Sequence, residues 1–324
     1  MDLLARMLER RSLRRFKGGP VPEGDLKKIL AAARQAPTDA GAQLYSILRV
    51  SDPGLRRELA RLAGGQEHVV SAAELFIPLA DVYRLEQLLI HRGKTMARWP
   101  RTGLHFALVD AALAGAHLAV AAEALGYGTC WIGGLLNQPL EVARLLELPR
   151  GTVPVSGLVV GVPAEDPSPR PRLPEALVVH ENRYRKYHPR DLDAAYAAMA
   201  GASRRGDWLH VLERYFASGG AMEQRDPAYG LLAALQGFVA DWPVAAAAAF
   251  AELGYEAGSL GETLEELLEG GWRGILFGRD AGGKMTVWLE RETRAERGEG
   301  ETPGEALGRT LKTALPRDEQ GDTA

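Results

Sequence analysis

Four arginines and a serine crowd the segment Arg10-Arg11-Ser12-Leu13-Arg14-Arg15-Phe16. Cationic side chains so close together repel one another unless an anion neutralises them. Guanidinium groups hold phosphate through paired, charge-assisted hydrogen bonds, and a hydroxyl adds one more donor. A second basic pair, Arg170-Pro171-Arg172, is distant in the chain but able to close on the same anion. The run alone also suits a solvated basic helix end, so its meaning depends on the rest of the chain.

The usual catalytic side chains are scarce. Gly126-Tyr127-Gly128 begins like a dinucleotide fingerprint, but Trp131 stands where its third glycine should be. Phosphate-binding P-loops, His-Glu-x-x-His and Gly-x-Ser-x-Gly are all absent, and His180-Glu181-Asn182 is too small a cluster to hold a metal. Cys130 lies among apolar residues and reads as core rather than nucleophile. No catalytic side chain and no metal site are therefore assigned. An anion clamp without catalytic groups points to a bound cofactor that carries its own chemistry.

The bulk composition sets the frame. With 324 residues, 46% apolar and a net charge of −3, the chain suits one large and one small globular unit. It has no overall basic excess that would make nucleic acid the main partner. A single cysteine fits a reducing compartment. The most apolar stretch, 106–125, carries Asp110, His117 and Glu123, which argues against a membrane span. The expectation is a soluble cytoplasmic protein with no membrane partner.

The elements that must position these residues follow from periodicity and punctuation. Helices are expected over 2–9, 25–35, 53–63 (stopped by Gly64-Gly65), 68–73, 86–95, 104–125 and 139–148. Strands are expected over 45–50, 75–81 and 153–162, with another ending at Trp131-Ile132-Gly133-Gly134. Ala111, Ala114, Gly115 and Ala119 would let another helix approach the long one closely. The mixture indicates an α/β or α+β class.

After a joint near Asp241-Trp242-Pro243, capping boxes open helices at Ser259 and Thr302. Between them, Trp272 to Phe277 and Met285 to Glu290 read as a hairpin. The expected division is a main domain over 1–240, a small α-β-β-α module over 241–315 and a disordered tail over 316–324.

Ordered motifs running from Arg10 to Tyr184 resemble the FMN-dependent nitroreductases. They begin with the arginine segment and Pro20-Val21-Pro22, then Ala33-Arg34-Gln35-Ala36-Pro37-Thr38 with Gln43. Gly64-Gly65-Gln66-Glu67-His68-Val69 with Ala72-Ala73-Glu74 is similar to the branch of NADPH-preferring, oxygen-insensitive nitroreductases and flavin reductases. Ile132-Gly133-Gly134-Leu135 with Asn137, Arg170-Pro171-Arg172-Leu173-Pro174 and Val179-His180-Glu181-Asn182-Arg183-Tyr184 continue the match in order.

The resemblance implies an α+β homodimer, a central antiparallel-rich sheet flanked by helices, with FMN at the interface. It implies that Arg10, Arg11, Ser12 and Arg14 meet the FMN phosphate and ribityl chain, and that Arg170 and Arg172 close on the phosphate. Thr38, Gln66 and His68 would contact the ribityl chain or the polar edge of the ring. Trp131, Ile132, Gly133 and Gly134 would form the loop against the ring, with glycine allowing the backbone to approach closely. Arg204 and Arg205, followed by Asp207-Trp208, resemble the loop that reads the NADPH 2′-phosphate.

The implied activity is ping-pong hydride transfer from NAD(P)H to a small aromatic or quinone acceptor. Release of reduced FMN to partners is the second possibility. A non-redox protein binding anions or nucleic acid through the arginines is the third. The sequence departs from the branch at Arg10, where histidine is frequent, at Arg170, where lysine is frequent, and at Pro37-Thr38-Asp39-Ala40-Gly41, which replaces a serine-rich turn.

Overall fold

The computed structural model describes residues 2–97, 99–203 and 207–238, together with strands at 274–279, 285–291 and 294–300. In chain order the N-terminal part runs α1 (Leu3–Leu8), β1 (Phe16–Lys17), α2 (Glu23–Ala33), β2 (Tyr45–Arg49), α3 (Pro53–Leu62), α4 (His68–Ser71), β3 (Glu74–Asp81), α5 (Tyr83–His91) and α6 (Pro100–Ala124). It continues with β4 (Gly128–Ile132), α7 (Pro139–Leu145), β5 (Thr152–Pro154), β6 (Gly157–Pro163), α8 (Pro189–Met199), α9 (Trp208–Phe216) and α10 (Ala221–Leu235).

β3 lies at the centre of an antiparallel sheet. It pairs with β2 on one edge and with β5 and β6 on the other, and β6 in turn pairs with β4 and β1. Every residue of β3 is buried, because helices cover both faces. The period of two sorts its side chains. Leu75, Ile77 and Leu79 pack with Leu59, Leu62, Val69 and Val142 on the side of α3, α4 and α7. Phe76 packs with Leu26, Ile29, Leu118 and Ala122 on the side of α2 and α6.

The single strand expected over 153–162 is two strands. β5 pairs Leu79 with Pro154, whereas β6 pairs Phe76 with Leu158, so the register slips by one residue between them. Pro78 accounts for the break. Its carbonyl accepts from Val155 N at 2.9 Å, so the side on which its missing N–H would point is the β5–β6 side. A strand partner that offers no donor there leaves room for a bulge.

α6 is long and apolar enough to cross a membrane by length and composition, with a mean hydropathy of 1.6. In this fold it lies along the sheet with Ala107, Ala111, Ala114, Leu118, Ala119 and Ala122 buried. Its small-residue stripe serves the sheet rather than another helix at Gly115. A Cβ there would lie 2.6 Å from the Trp131 ring and 2.9 Å from Pro78.

α8, α9 and α10 add to the expected elements, and α9 is strongly amphipathic behind its Asp207 cap. α10 returns to the core through Leu232 and Ala233, beside Leu44, Ala80, Ala107 and Val153. Further along, β7 (Gly274–Arg279) and β8 (Met285–Arg291) form the expected antiparallel pair. A third strand, β9 (Arg294–Gly300), pairs with β8. Its sequence, rich in charge and glycine, gave no sign of it. The joint at 241–243, the helices expected near 259–270 and 306–315, and the tail lie outside the described residues.

Candidate functional site

The segment leading from α1 to β1 runs extended along the sheet edge. Ser12 bridges Thr129 of β4, and Leu13 N donates to Thr129 O at 2.9 Å. The Leu13 side chain fills the space above Gly128, where a Cβ would lie 2.4 Å from Leu13 Cδ1. Extended backbone sends alternate side chains to opposite sides, so the arginine cluster is divided.

One group gathers around the buried Cys130, which is 1% exposed. Burial pushes its thiol above the ordinary value, while Arg14, Arg10, the Ser12 hydroxyl and Arg170 pull it down. Arg14 and Arg170 are themselves exposed and act on this buried sulfur through their charge. Arg10 also donates to Ser12 Oγ at 3.3 Å. His68 joins them from α4. It is 7% exposed, its Nε2 is buried without a partner, and its imidazole is kept neutral first by burial and then by Arg14. Arg10 and Ser12 are thus hydrogen-bonded neighbours, and the exposed cations Arg14 and Arg170 act on Cys130 through their charge.

The remaining cations are held by acids. Arg11 bonds Asp166 and donates to Glu9 O at 3.1 Å, so it is committed away from the Cys130 group. Glu165 accepts from the backbone N–H groups of Arg14 and Arg15 and from Arg15 Nε at 3.1 Å. These bonds, with that of Arg14 N foremost, hold its carboxyl below the ordinary range. Arg10 Nε lies 3.8 Å from Glu123, whose carboxyl is pushed up by burial against the pull of Thr129 and of Arg10, Arg11 and Arg6. A cleft of about 610 Å³ opens on this side, lined in part by Arg6, Arg10, Arg11, Lys17, Glu123 and Asp166, so Arg10 faces both groups. Glu123, Glu165 and Asp166 escaped the sequence reading because isolated acids carry no motif.

Gln66 and the glycine pair form the second part of the site. Gly64 and Gly65 take φ of +85° and +74° and end α3 by hydrogen bonds back to Arg61 and Ala60. The turn places Gln66 Nε2 2.8 Å from Ala63 O. Gly134 fits beneath them: a Cβ would lie 2.3 Å from Gln66 Nε2 and 2.5 Å from Ala63 O. At Gly133 a Cβ would meet nothing within 4 Å, so the backbone there is open to a ligand. Arg56, itself buried, donates to the carbonyls of Val69, Ala72 and Ala73 and so closes α4 behind His68.

Other expected contacts are placed differently. The Trp131 ring packs at Gly115, Ile132 is fully buried in the core, and both residues are paired with β6. Arg172 is exposed and turned onto the carbonyls of Arg170 and Pro171 at 3.3 Å. Thr38 stands at the N-cap position of a short 3-10 turn (Asp39–Gly41), without a side-chain cap bond, on a loop held by α6. Arg204 and Arg205 lie outside the described residues.

The buried histidine makes stability depend on pH. Its folded pKa is lowered, so as pH falls through about 6.5 the unfolded chain takes up a proton that the fold refuses. Flavin-free protein should therefore melt lower at pH 5.5 than at pH 7.5, on the order of a few degrees. His68→Gln should shrink that difference. Equal slopes in thermal melts of the two proteins would remove His68 as its source.

Comparison with known proteins places this geometry in context. The family model described as "Nitroreductase family" matches residues 7–162. The oxygen-insensitive NADPH nitroreductase of Salmonella typhimurium is 36% identical over 211 residues, covering 63% of this chain and 86% of that protein. The FMN reductase (NADPH) of Bacillus subtilis is 38% identical over 180 residues, covering 55% and 72%. The solved structure of the NfrA1 nitroreductase from B. subtilis superposes with a TM-score of 0.65 at 29% identity, covering 73% of this chain and 98% of that one.

Proposed function

Because this chain belongs to the nitroreductase family, we propose that it works as an NADPH-dependent FMN oxidoreductase that reduces nitroaromatic or quinone acceptors by two electrons. FMN supplies the two-electron transfer between nicotinamide and acceptor. The protein supplies binding, orientation and electrostatics, and the residues present fit that division of labour. The observation that carries the reading is a cluster of cations from distant parts of the chain, Arg10 hydrogen-bonded to Ser12 with the exposed Arg14 and Arg170, together with the buried, unpartnered Nε2 of His68.

Arg10, Ser12, Arg14 and Arg170 would hold the phosphate, with Arg172 able to swing onto it from the surface. The unpartnered Nε2 of His68 and the amide of Gln66 would meet the ribityl chain or the ring edge. Gly133, with its open side, would bring backbone donors to the ring beside Gly134. Side chains that would have to give or take protons are not required at this site. An acceptor pocket built from a flat ring and small residues discriminates weakly, which suits nitro compounds and quinones alike.

A homodimer completes the proposal. Apolar residues stand exposed on α5 (Leu88, Ile90), on α6 (Val109, Leu113) and after β6 (Val178, Val179), as expected of a surface that a second copy covers. Thr38 would then reach a flavin from the partner chain. Arg204 and Arg205 would favour NADPH over NADH, and the cytoplasm would supply that donor. Release of reduced FMN remains the second reading, favoured by the name of the Bacillus subtilis relative.

The test is the absorbance spectrum of the purified protein followed by turnover. A yellow protein that oxidises NADPH when menadione or nitrofurazone is added supports the proposal. Loss of all FMN on gel filtration with undiminished NADPH oxidation by added FMN would favour the flavin reductase. A colourless protein that takes up no FMN would leave a non-redox anion-binding protein.

A further inference from the structure

We propose that Asp110 is a positioning residue that sets the wall of the acceptor pocket by clamping the loop between Thr38 and Leu44, an inference that rests on the flavin-enzyme reading above. Asp110 lies in the middle of α6 and is 1% exposed. Its carboxylate oxygens are divided between the two ends of one loop. Oδ1 accepts from Asp39 N at 3.0 Å and Oδ2 from Leu44 N at 2.9 Å. A charge buried at that depth is held there by what it bonds, and these partners are backbone groups of an exposed loop.

The loop needs such a clamp. Ala40 and Gln43 take φ of 47° and 54°, and Gly41 takes 68°, so two residues with side chains stand in the left-handed region. Such residues persist only where their surroundings over-determine them, and they gather at functional sites. A second anchor acts from outside: the Arg84 guanidinium bonds the carbonyls of Gln43 and Tyr45, the latter at 2.8 Å, and reaches Ser46 Oγ at 3.1 Å. Between the two anchors, Asp39, Ala40 and Gly41 are exposed. An exposed, strained tip fixed at both ends serves as a rigid wall. It borders Thr38, the residue placed above at a flavin shared with the partner copy.

Asp110→Asn keeps the size and shape but turns one acceptor into a donor facing a backbone N–H. Measured on the FMN-loaded enzyme, KM for menadione should rise about 10-fold, with kcat at saturation within about 2-fold and FMN content unchanged. Amide hydrogen exchange at Asp39 and Leu44 should quicken at the same time. Arg84→Gln, which acts from the exposed end, should raise KM in the same direction and guards against a failure of the first variant to fold. Unchanged exchange would show that the carboxylate does not hold the loop and would overturn the proposal. Quicker exchange with unchanged KM would overturn it too, because the loop would not border the acceptor, and the flavin reading would survive. An FMN-free wild-type protein would defeat the flavin reading itself.

Discussion

Replacing Arg14 and Arg170 together with alanine should give a folded protein that no longer holds FMN. Both side chains are exposed and neither belongs to the core, so their removal costs little stability. A hydrogen bond to a charged group contributes about 1.5–3 kcal/mol, so each arginine lost should weaken phosphate binding by roughly 10- to 150-fold. The double variant should lose about three orders of magnitude in affinity, read by quenching of FMN fluorescence on titration. Single variants should weaken further as salt is added, since long-range attraction to the dianion is screened.

Arg11→Ala is the internal control. Its guanidinium is engaged by Asp166 and Glu9 O, so its loss should matter far less than that of Arg14, although the sequence motif treats the two alike. Equal losses from Arg11→Ala and Arg14→Ala would refute the division of the cluster described above.

The second large effect is expected at the glycine pair, with opposite outcomes at neighbouring positions. Gly134→Ala drives a methyl group to within 2.3 Å of Gln66 Nε2 and 2.5 Å of Ala63 O. The Gln66 amide can swing away, but the Ala63 carbonyl is backbone at the end of α3 and cannot. Overpacking of this kind costs about 1–3 kcal/mol, which lowers Tm by roughly 2–10 °C in a domain of this size. Displacing Gln66 should remove one flavin contact as well.

Gly133→Ala meets open space and should leave Tm within about 2 °C, since surface substitutions cost little. Its methyl group would stand where the flavin ring is proposed, so FMN affinity and turnover should fall without loss of fold. Differential scanning fluorimetry and flavin titration on the two variants separate these outcomes. The proposed ring position would be sunk by a Gly133→Ala enzyme with full FMN affinity and turnover.

Much of the fold was legible in the chain. β3 reads as an unbroken apolar run because helices bury both of its faces, and α3 announces its end through Gly64-Gly65. The break between β5 and β6 was not legible, since its cause is Pro78 in a strand far away in sequence. α10 carries too little apolar periodicity to stand out and β9 carries none, whereas α8 and α9 are amphipathic and their pattern was legible. The site was legible wherever residue types repeat a spacing, as at Arg10 to Arg14, Gln66 to His68, Gly133-Gly134 and Arg170. Asp110, Glu123, Glu165 and Asp166 were not, because a lone acid means nothing until its partners are known.

The sequence by itself determined the chemistry on offer: an arginine cluster suited to a phosphate and a glycine pair suited to close backbone approach, in a family that works through a bound flavin. Local composition suffices for this, because guanidinium groups and glycines keep their properties in any setting. Tertiary structure alone decided which arginines are free. The path of residues 10–15 along β4 sets Ser12 beside Thr129 and Arg10 and leaves Arg14 exposed, while Arg11 is held by Asp166. It also decided that Asp110, deep in a helix that could pass for a membrane span, ties down an exposed loop. Both outcomes arise from bonds between residues many positions apart, and such bonds exist only after the chain has folded.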